Sequence, residues 1–359
     1  MHKKAVNFYE YPKFKEHFRP TLETHEIDLV EIQGQPSRQA QAKIHKVTTD
    51  KIAGPARVLW VTLRYLLQRR NSNMRAQFRR RLEEGTIVVV PGVVDGLSAK
   101  IAEQVGFEAL YMTGYGVAAT FGRPDVGLLT MTETVARAAQ IVDAVQLPVI
   151  VDADDGYGNA LNVIRTVREF EKAGVAVVQL EDQAYPKKCG SYPAKRVIAP
   201  EEMVGKIKAA LDTRTDPDLL IMARTDAAPI EGLDAAIERA VLYAEAGADL
   251  LLAMRYCSED ELKRYVIEVP IPIVALNSES LTMPLISVSQ LDAMGIRIVL
   301  FPLTAILCSA YAIRGALQEI KKHGIQEHLL DSMYPWAKMN ELTGLKDVER
   351  AEENYGVKN

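Results

Sequence analysis

The chain has 359 residues, 48% of them hydrophobic and 25% charged, with a formal net charge of −4 and three cysteines. That length suits two or three average domains or one large α/β barrel, and a composition near the globular mean excludes a disordered or fibrous chain. Three scattered cysteines, Cys189, Cys257 and Cys308, exclude a disulfide framework and point to a reducing, cytosolic compartment.

The charge is uneven along the chain. Residues 1–80 carry 16 Lys/Arg against 7 Asp/Glu, a net +9, and the remainder nets −13. The N-terminus has no apolar stretch that reads as a secretory signal. Residues 1–55 are polar and aperiodic, punctuated by Gly34, Pro36, Gly54 and Pro55. Residues 56–81 predict a helix, with Val58, Leu59, Leu63, Leu66 and Leu67 on one side and Arg57, Arg64, Arg69 and Arg70 among them. Such a helix can lie on an anionic membrane. Packing on the body of the protein or on a sister subunit is the plainer reading, since soluble helices share this pattern. No nucleic-acid partner is expected.

From about residue 81 a rhythm sets in, short aliphatic runs alternating with helical stretches. The runs are Ile87–Pro91, Ala109–Thr113, Pro148–Asp152, Val177–Leu180, Leu219–Ala223, Asp249–Ala253, Pro272–Leu276 and Ile296–Phe301. Each is too continuous for an antiparallel strand with one wet face and fits a strand buried on both faces. Gly106, Gly174, Gly247 and Gly295 recur just past a helix and before a strand, where a left-handed C-cap favours glycine. The longest apolar run, Ile298–Ile313, is 16 residues and contains Pro302, so it predicts a buried strand running into a helix and not a membrane span. Eight strand–helix units within residues 81–322 match a (β/α)8 TIM barrel. An open doubly wound sheet fits less well, because Pro91-Gly92-Val93-Val94-Asp95-Gly96 is not the dinucleotide fingerprint. The predicted organisation is a basic extension over 1–77, a barrel over 78–322 and a helical tail over 323–359.

A barrel gathers its chemistry at the C-terminal ends of its strands. The second strand leads into Thr113-Gly114-Tyr115-Gly116, a turn able to offer N–H groups to an anion. The third leads into Asp152-Ala153-Asp154-Asp155-Gly156-Tyr157-Gly158, the fourth into Glu181-Asp182-Gln183 and the fifth into Arg224-Thr225-Asp226. Carboxylates converging on one rim repel unless they are protonated or neutralised, and hard oxygen donors suit Mg2+ or Mn2+. The alternative is that these Asp-Gly turns merely cap helices. The alternation Asp152-x-Asp154 predicts two side chains on one face of a strand.

All six histidines lie outside residues 81–322, which excludes a histidine triad or a His-rich zinc centre inside the barrel. Proton transfer then falls to Tyr, Cys, Lys, a carboxylate or metal-bound water. Lys187-Lys188-Cys189-Gly190 offers one thiol beside two cations, which favours the thiolate. On that criterion Cys189 is predicted reactive, and Cys257 and Cys308 are predicted to be core residues.

Taken in order, Tyr-x-Thr-Gly, Gly122-x-Pro-Asp-x-Gly127, Asp-x-Asp-x-Gly-Tyr-Gly, Glu-Asp-Gln, Lys-Lys-Cys-Gly and Ala-Arg-Thr-Asp resemble the isocitrate lyase/phosphoenolpyruvate mutase superfamily. The likeness covers about residues 78–322, and Glu341-Leu342 through Tyr355-Gly356 resembles that family's C-terminal helices. It implies a barrel whose eighth helix is swapped between subunits, giving a homodimer or homotetramer. It implies Mg2+, with Mn2+ as the alternative, held by Asp154 directly and by Asp152 and Glu181 through water.

The resemblance further implies a small 2-oxo or 2-hydroxy carboxylate as substrate, bound by Thr113, Gly114, Tyr115, Asp125, Gly190 and Asn277 and clamped by Arg224. Lys187 and Cys189 resemble the mobile loop of the lyase branch, with Cys189 as proton donor and Tyr111 as base. The implied activity is carbon–carbon cleavage of a 2-hydroxy di- or tricarboxylate of the 2-methylisocitrate, isocitrate or alkylmalate kind, giving pyruvate or glyoxylate and a carboxylate. The alternatives are hydrolysis, decarboxylation or phosphonomutase chemistry at the same site, or a non-catalytic binder. Two departures predict an altered substrate: Ser191 where the lyases usually have His, and Met254 where the family usually has Glu.

Overall fold

The computed structural model describes residues 70–279 and 283–357. The compact unit described begins at Arg70. Most of the helix expected over 56–81 therefore lies outside the described residues.

Eight strands close into a parallel barrel in sequence order, β1 pairing with β8. They are β1 (Val88–Val93), β2 (Leu110–Met112), β3 (Val149–Asp152), β4 (Val177–Glu181), β5 (Leu220–Thr225), β6 (Leu250–Ala253), β7 (Ile273–Leu276) and β8 (Ile298–Phe301). Each of the eight apolar runs becomes one of these strands, because a parallel sheet sheathed by helices leaves neither face wet. Val90, Leu110, Ile150, Val178, Ile221, Leu251, Val274 and Leu300 are all fully or almost fully buried.

The helix boundaries follow local chemistry. Asp95 caps Gly96–Val105 by accepting from Ser98 N at 2.8 Å, and Asn159 caps Ala160–Ala173 by accepting from Leu161 N at 2.9 Å. Gly106, Gly174 and Gly295 end their helices at φ of 100°, 92° and 90°, the left-handed conformation expected of them.

Residues 70–83 are helical and pack on the N-terminal end of the barrel. Phe78 and Leu82 enter the core. Arg75 is buried, donating to the carbonyls of Val175 at 2.7 Å and Glu171 at 2.9 Å and pairing with Asp216 at 3.0 Å. Arg75 thus packs on the chain's own body.

After β8 come a long helix, Thr304–His323, a short 3-10 turn, and helices Trp336–Leu342 and Leu345–Tyr355. None of these elements buries a residue within the single chain. Two expectations are corrected here. Cys257 and Cys308 are exposed, not core. Cys257 sits in the turn entering helix Glu259–Glu268, and Cys308 lies on the long helix that a single chain leaves uncovered.

Candidate active site

Strand register decides which side chains meet at the C-terminal rim. Glu181 lies beside Arg224 across β4 and β5, and Asp152 lies beside Gln179 across β3 and β4. Arg224 Nη1 pairs with Glu181 at 3.1 Å, and its Nε donates to Asp226 Oδ2 at 2.8 Å. The third guanidinium nitrogen, Nη2, is buried without a hydrogen-bond partner. A planar fork with one arm unused is suited to a carboxylate.

Asp152 accepts from Gln179 Nε2 at 2.9 Å and from the backbone N–H of Asp154 at 3.2 Å. Asp154 does not continue the strand. It adopts a left-handed φ of 51°, so the two aspartates come together through a turn and not through the strand alternation expected. Lys187 reaches between Asp154 and Asp125, 2.5 Å from each. Burial pushes the Asp154 pKa up to about 7, Lys187 opposing the rise and Asp152 adding to it. Burial likewise holds Glu181 well above the usual carboxylate range against the pull of Arg224.

Among the described residues no three His, Cys, Asp or Glu side chains stand in a ready ligand cage. The donor set nevertheless fits a hard divalent cation. Glu181 Oε1 is buried with no partner, and burial raises the pKa of both Asp154 and Glu181, a cost that a hard cation beside them would offset.

Thr113 caps the helix Gly114–Thr120, its Oγ1 accepting from Gly116 N at 3.3 Å, so the turn expected there is the first turn of a helix. A Cβ on Gly114 would stand 2.9 Å from Asp152 Oδ2, which only glycine avoids. Tyr111 donates to Gln179 Oε1 at 3.1 Å. Burial first, and Asp152 second, raise its pKa well above that of an ordinary phenol.

The segment after β4 folds over these groups. Gln183 exchanges two hydrogen bonds with the Lys188 backbone, and Cys189 N donates to the Asp125 carbonyl at 2.9 Å. The sequence argument for a Cys189 thiolate is reversed here. The Lys187 ammonium is committed to two aspartates, and Lys188 points outward to the Ala194 carbonyl. Burial pushes the Cys189 thiol up, so it keeps its proton. A protonated thiol is the form a proton donor requires.

Together Tyr111, Thr113, Tyr115, Asp125, Asp152, Cys189, Gly190, Ser191 and Arg224 line a cavity with about 50 Å³ of free space. Leu252, Met254, Leu276, Pro302 and Leu303 add an apolar lining, and Ser278 completes it. Asn277 faces elsewhere: its amide donates to the Ile286 carbonyl at 2.8 Å and accepts from Ile286 N at 3.2 Å, pinning the chain after β7. Sequence reasoning overlooked Gln179, which carried a signal, a lone polar residue inside the run Val-Val-Gln-Leu.

Residues 78–321 match the family model described as phosphoenolpyruvate phosphomutase. The 2,3-dimethylmalate lyase of Eubacterium barkeri is 46% identical over 286 residues, 79% of this chain and 99% of that protein. The 2-methylisocitrate lyase of Aeropyrum pernix is 43% identical over 272 residues, 76% of this chain and 88% of that one. Among solved structures, an oxaloacetate acetylhydrolase in complex with 3,3-difluorooxalacetate superimposes with a TM-score of 0.75 at 34% identity, covering 80% of this chain and 98% of that one.

Proposed function

This chain belongs to the phosphoenolpyruvate mutase/isocitrate lyase superfamily, on its branch of carbon–carbon lyases, and we propose that it cleaves a 2-hydroxy dicarboxylate bearing an alkyl group beside the bond that breaks. The observation that carries this reading is the mixed lining of the cavity. Among the described residues Arg224 is the one cation lining it, and Leu252, Met254, Leu276 and Leu303 form an apolar wall. A tricarboxylate would press its third carboxylate against that apolar wall, where an unpaired charge is costly. An alkyl substituent gains there instead.

The chemistry follows from the placement of charge. The unused arm of Arg224 receives a substrate carboxylate, and Tyr111 offers its hydroxyl to the 2-oxygen. The Asp152 carboxylate, which lines the cavity, takes the 2-hydroxyl proton as the C2–C3 pair leaves as a carbanion stabilised by its own carboxylate, and C2 becomes the carbonyl of a 2-oxo acid. The Cys189 thiol then gives its proton to that carbanion. A methyl on C2 makes the oxo acid pyruvate, and a hydrogen makes it glyoxylate. Asp154, with Asp152 and Glu181, would hold Mg2+ or Mn2+, which when bound polarises the oxygen that becomes the carbonyl.

The long helix Thr304–His323 supports assembly as a homodimer or homotetramer, since it leaves Leu307, Tyr311, Ile313 and Leu317 exposed. Three free thiols fit a reducing, cytosolic setting.

The deciding experiment offers alkylmalates, 2-methylisocitrate and oxaloacetate to the purified protein with MgCl2 and follows products by NMR. Pyruvate or glyoxylate from an alkylmalate at higher kcat/KM than from 2-methylisocitrate is the expected result. Preference for the tricarboxylate would overturn the reading of the apolar wall. Acetate and oxalate from oxaloacetate, with no cleavage of the hydroxy acids, would make the protein a hydrolase.

A further inference from the structure

Lys195 has no place in the chemistry above, yet it is buried at the hub of the site. Its side chain is 2% exposed and its ammonium makes two contacts. One is to the Gly190 carbonyl at 2.6 Å, the residue after Cys189. The other is to Asp226 Oδ1 at 2.5 Å. The second oxygen of Asp226 accepts from Arg224 Nε at 2.8 Å. A continuous chain of charged hydrogen bonds thus runs from the backbone beside the thiol to the guanidinium.

We infer that Lys195 is a positioning residue that ties the Cys189 segment to Arg224 through Asp226, so that the proton donor and the carboxylate clamp are set together. The segment from Tyr185 to Lys195 springs from a fixed base. Ala184 N donates to the Arg196 carbonyl at 2.8 Å and Ile198 N to the Asp182 carbonyl at 2.9 Å, which clips its two limbs together. Asp226 is fixed as well, its own N–H donating to Asp182 Oδ1 at 2.8 Å. Between these anchors the tip carrying Cys189 and Gly190 is held inward by Gln183, by the Asp125 carbonyl and by Lys195. Of these three, only Lys195 also touches the group that orients Arg224.

Burying an ammonium is costly unless it is paired and hydrogen-bonded. Here one carboxylate pairs with both Lys195 and Arg224, and each cation fixes a different oxygen of it. Moving the tip outward strips Lys195 of one of its two acceptors. Removing Lys195 leaves Gly190 untethered and lets Asp226, with Arg224, rotate. The consequence for turnover rests on the lyase reading above; the position of the segment does not.

The test compares wild type with Lys195→Met, using iodoacetamide and peptide mapping to follow Cys189 and the exposed Cys257 separately, with and without MgCl2 and oxalate. In Lys195→Met we expect Cys189 to alkylate at least about tenfold faster, as befits a lost charge-assisted hydrogen bond, while Cys257 labels at the wild-type rate. Oxalate protection of Cys189 should weaken in step. Turnover of the substrate found for the wild type should fall mainly in kcat, and Lys195→Arg, which keeps a cation and donors, should recover part of it. A Cys189 labelling rate within about twofold of wild type, a factor too small for a broken charged contact, overturns the proposal. If Lys195→Met does not fold, Lys195→Gln carries the same criterion. If the wild type cleaves no hydroxy acid, the lyase reading falls and the labelling still decides the role of Lys195.

Discussion

Arg224 is shared between structure and chemistry: two of its nitrogens hold Glu181 and Asp226, and the third is left for a ligand. Cys189 keeps its proton because partial burial raises its pKa and the neighbouring cations are spoken for. Cys189→Ser should therefore lower kcat by about 10²–10⁴, the usual worth of a positioned proton donor; unchanged turnover would remove it from the mechanism. Met254→Glu should cut kcat/KM for an alkylmalate by about ten- to two-hundredfold, the range by which a pocket discriminates a lost apolar contact, as read in competition with 2-methylisocitrate. Asp226 carries a pH signature. Burial alone would raise its pKa, but Arg224 and Lys195 outweigh burial and hold it at about 2, below the ordinary 3.8. A depressed carboxyl stabilises the fold above its unfolded pKa and loses that contribution as pH falls through the folded value. Asp226→Asn should thus be less stable than wild type at pH 5, and the gap should narrow towards about pH 2 in thermal unfolding.

At the scale of elements, the barrel is held by strands that are apolar on both faces and by close backbone approaches at its seam. Gly92 on β1 lies directly against the backbone of Pro302, which follows β8, and a Cβ there would collide with that peptide unit. A backbone cannot rotate out of the way as a side chain can. Gly92→Ala should cost about 1–3 kcal/mol, as overpacking does, seen as a lower urea midpoint at constant slope. All eight strands were readable because a run buried on both faces is apolar without alternation, and the helix ends because Gly106, Gly174 and Gly295 need a positive φ. The pairing of Asp152 with Asp154 was readable, but its cause was not. The left-handed turn at Asp154 is a conformation L residues seldom adopt, and no local pattern announces it.

At the scale of the whole molecule, the long helix after β8 is unfinished in one chain. Tyr311 is 80% exposed, and Ile313 and Leu317 are 60% exposed, large apolar side chains that a single chain leaves in water. Tyr311→Glu combined with Leu317→Glu should shift the protein to smaller particles in light scattering, with the barrel's far-UV signal retained; an unchanged mass would overturn assembly through this helix.

The sequence by itself determined the barrel, its eight strands and the residue types at its rim, since burial on two faces and glycine at a left-handed cap are properties of single segments. It also carried the family, through six motifs in order. Only the tertiary structure decided which cations are free. Lys187 and Lys188 stand beside Cys189 in the chain, yet one is drawn to Asp125 and Asp154 and the other faces outward, so the thiol stays protonated. The same holds for Lys195, whose partners Gly190 and Asp226 lie 5 and 31 residues away. Electrostatic partners are chosen by distance in space, and in a barrel that distance is fixed by the register between strands.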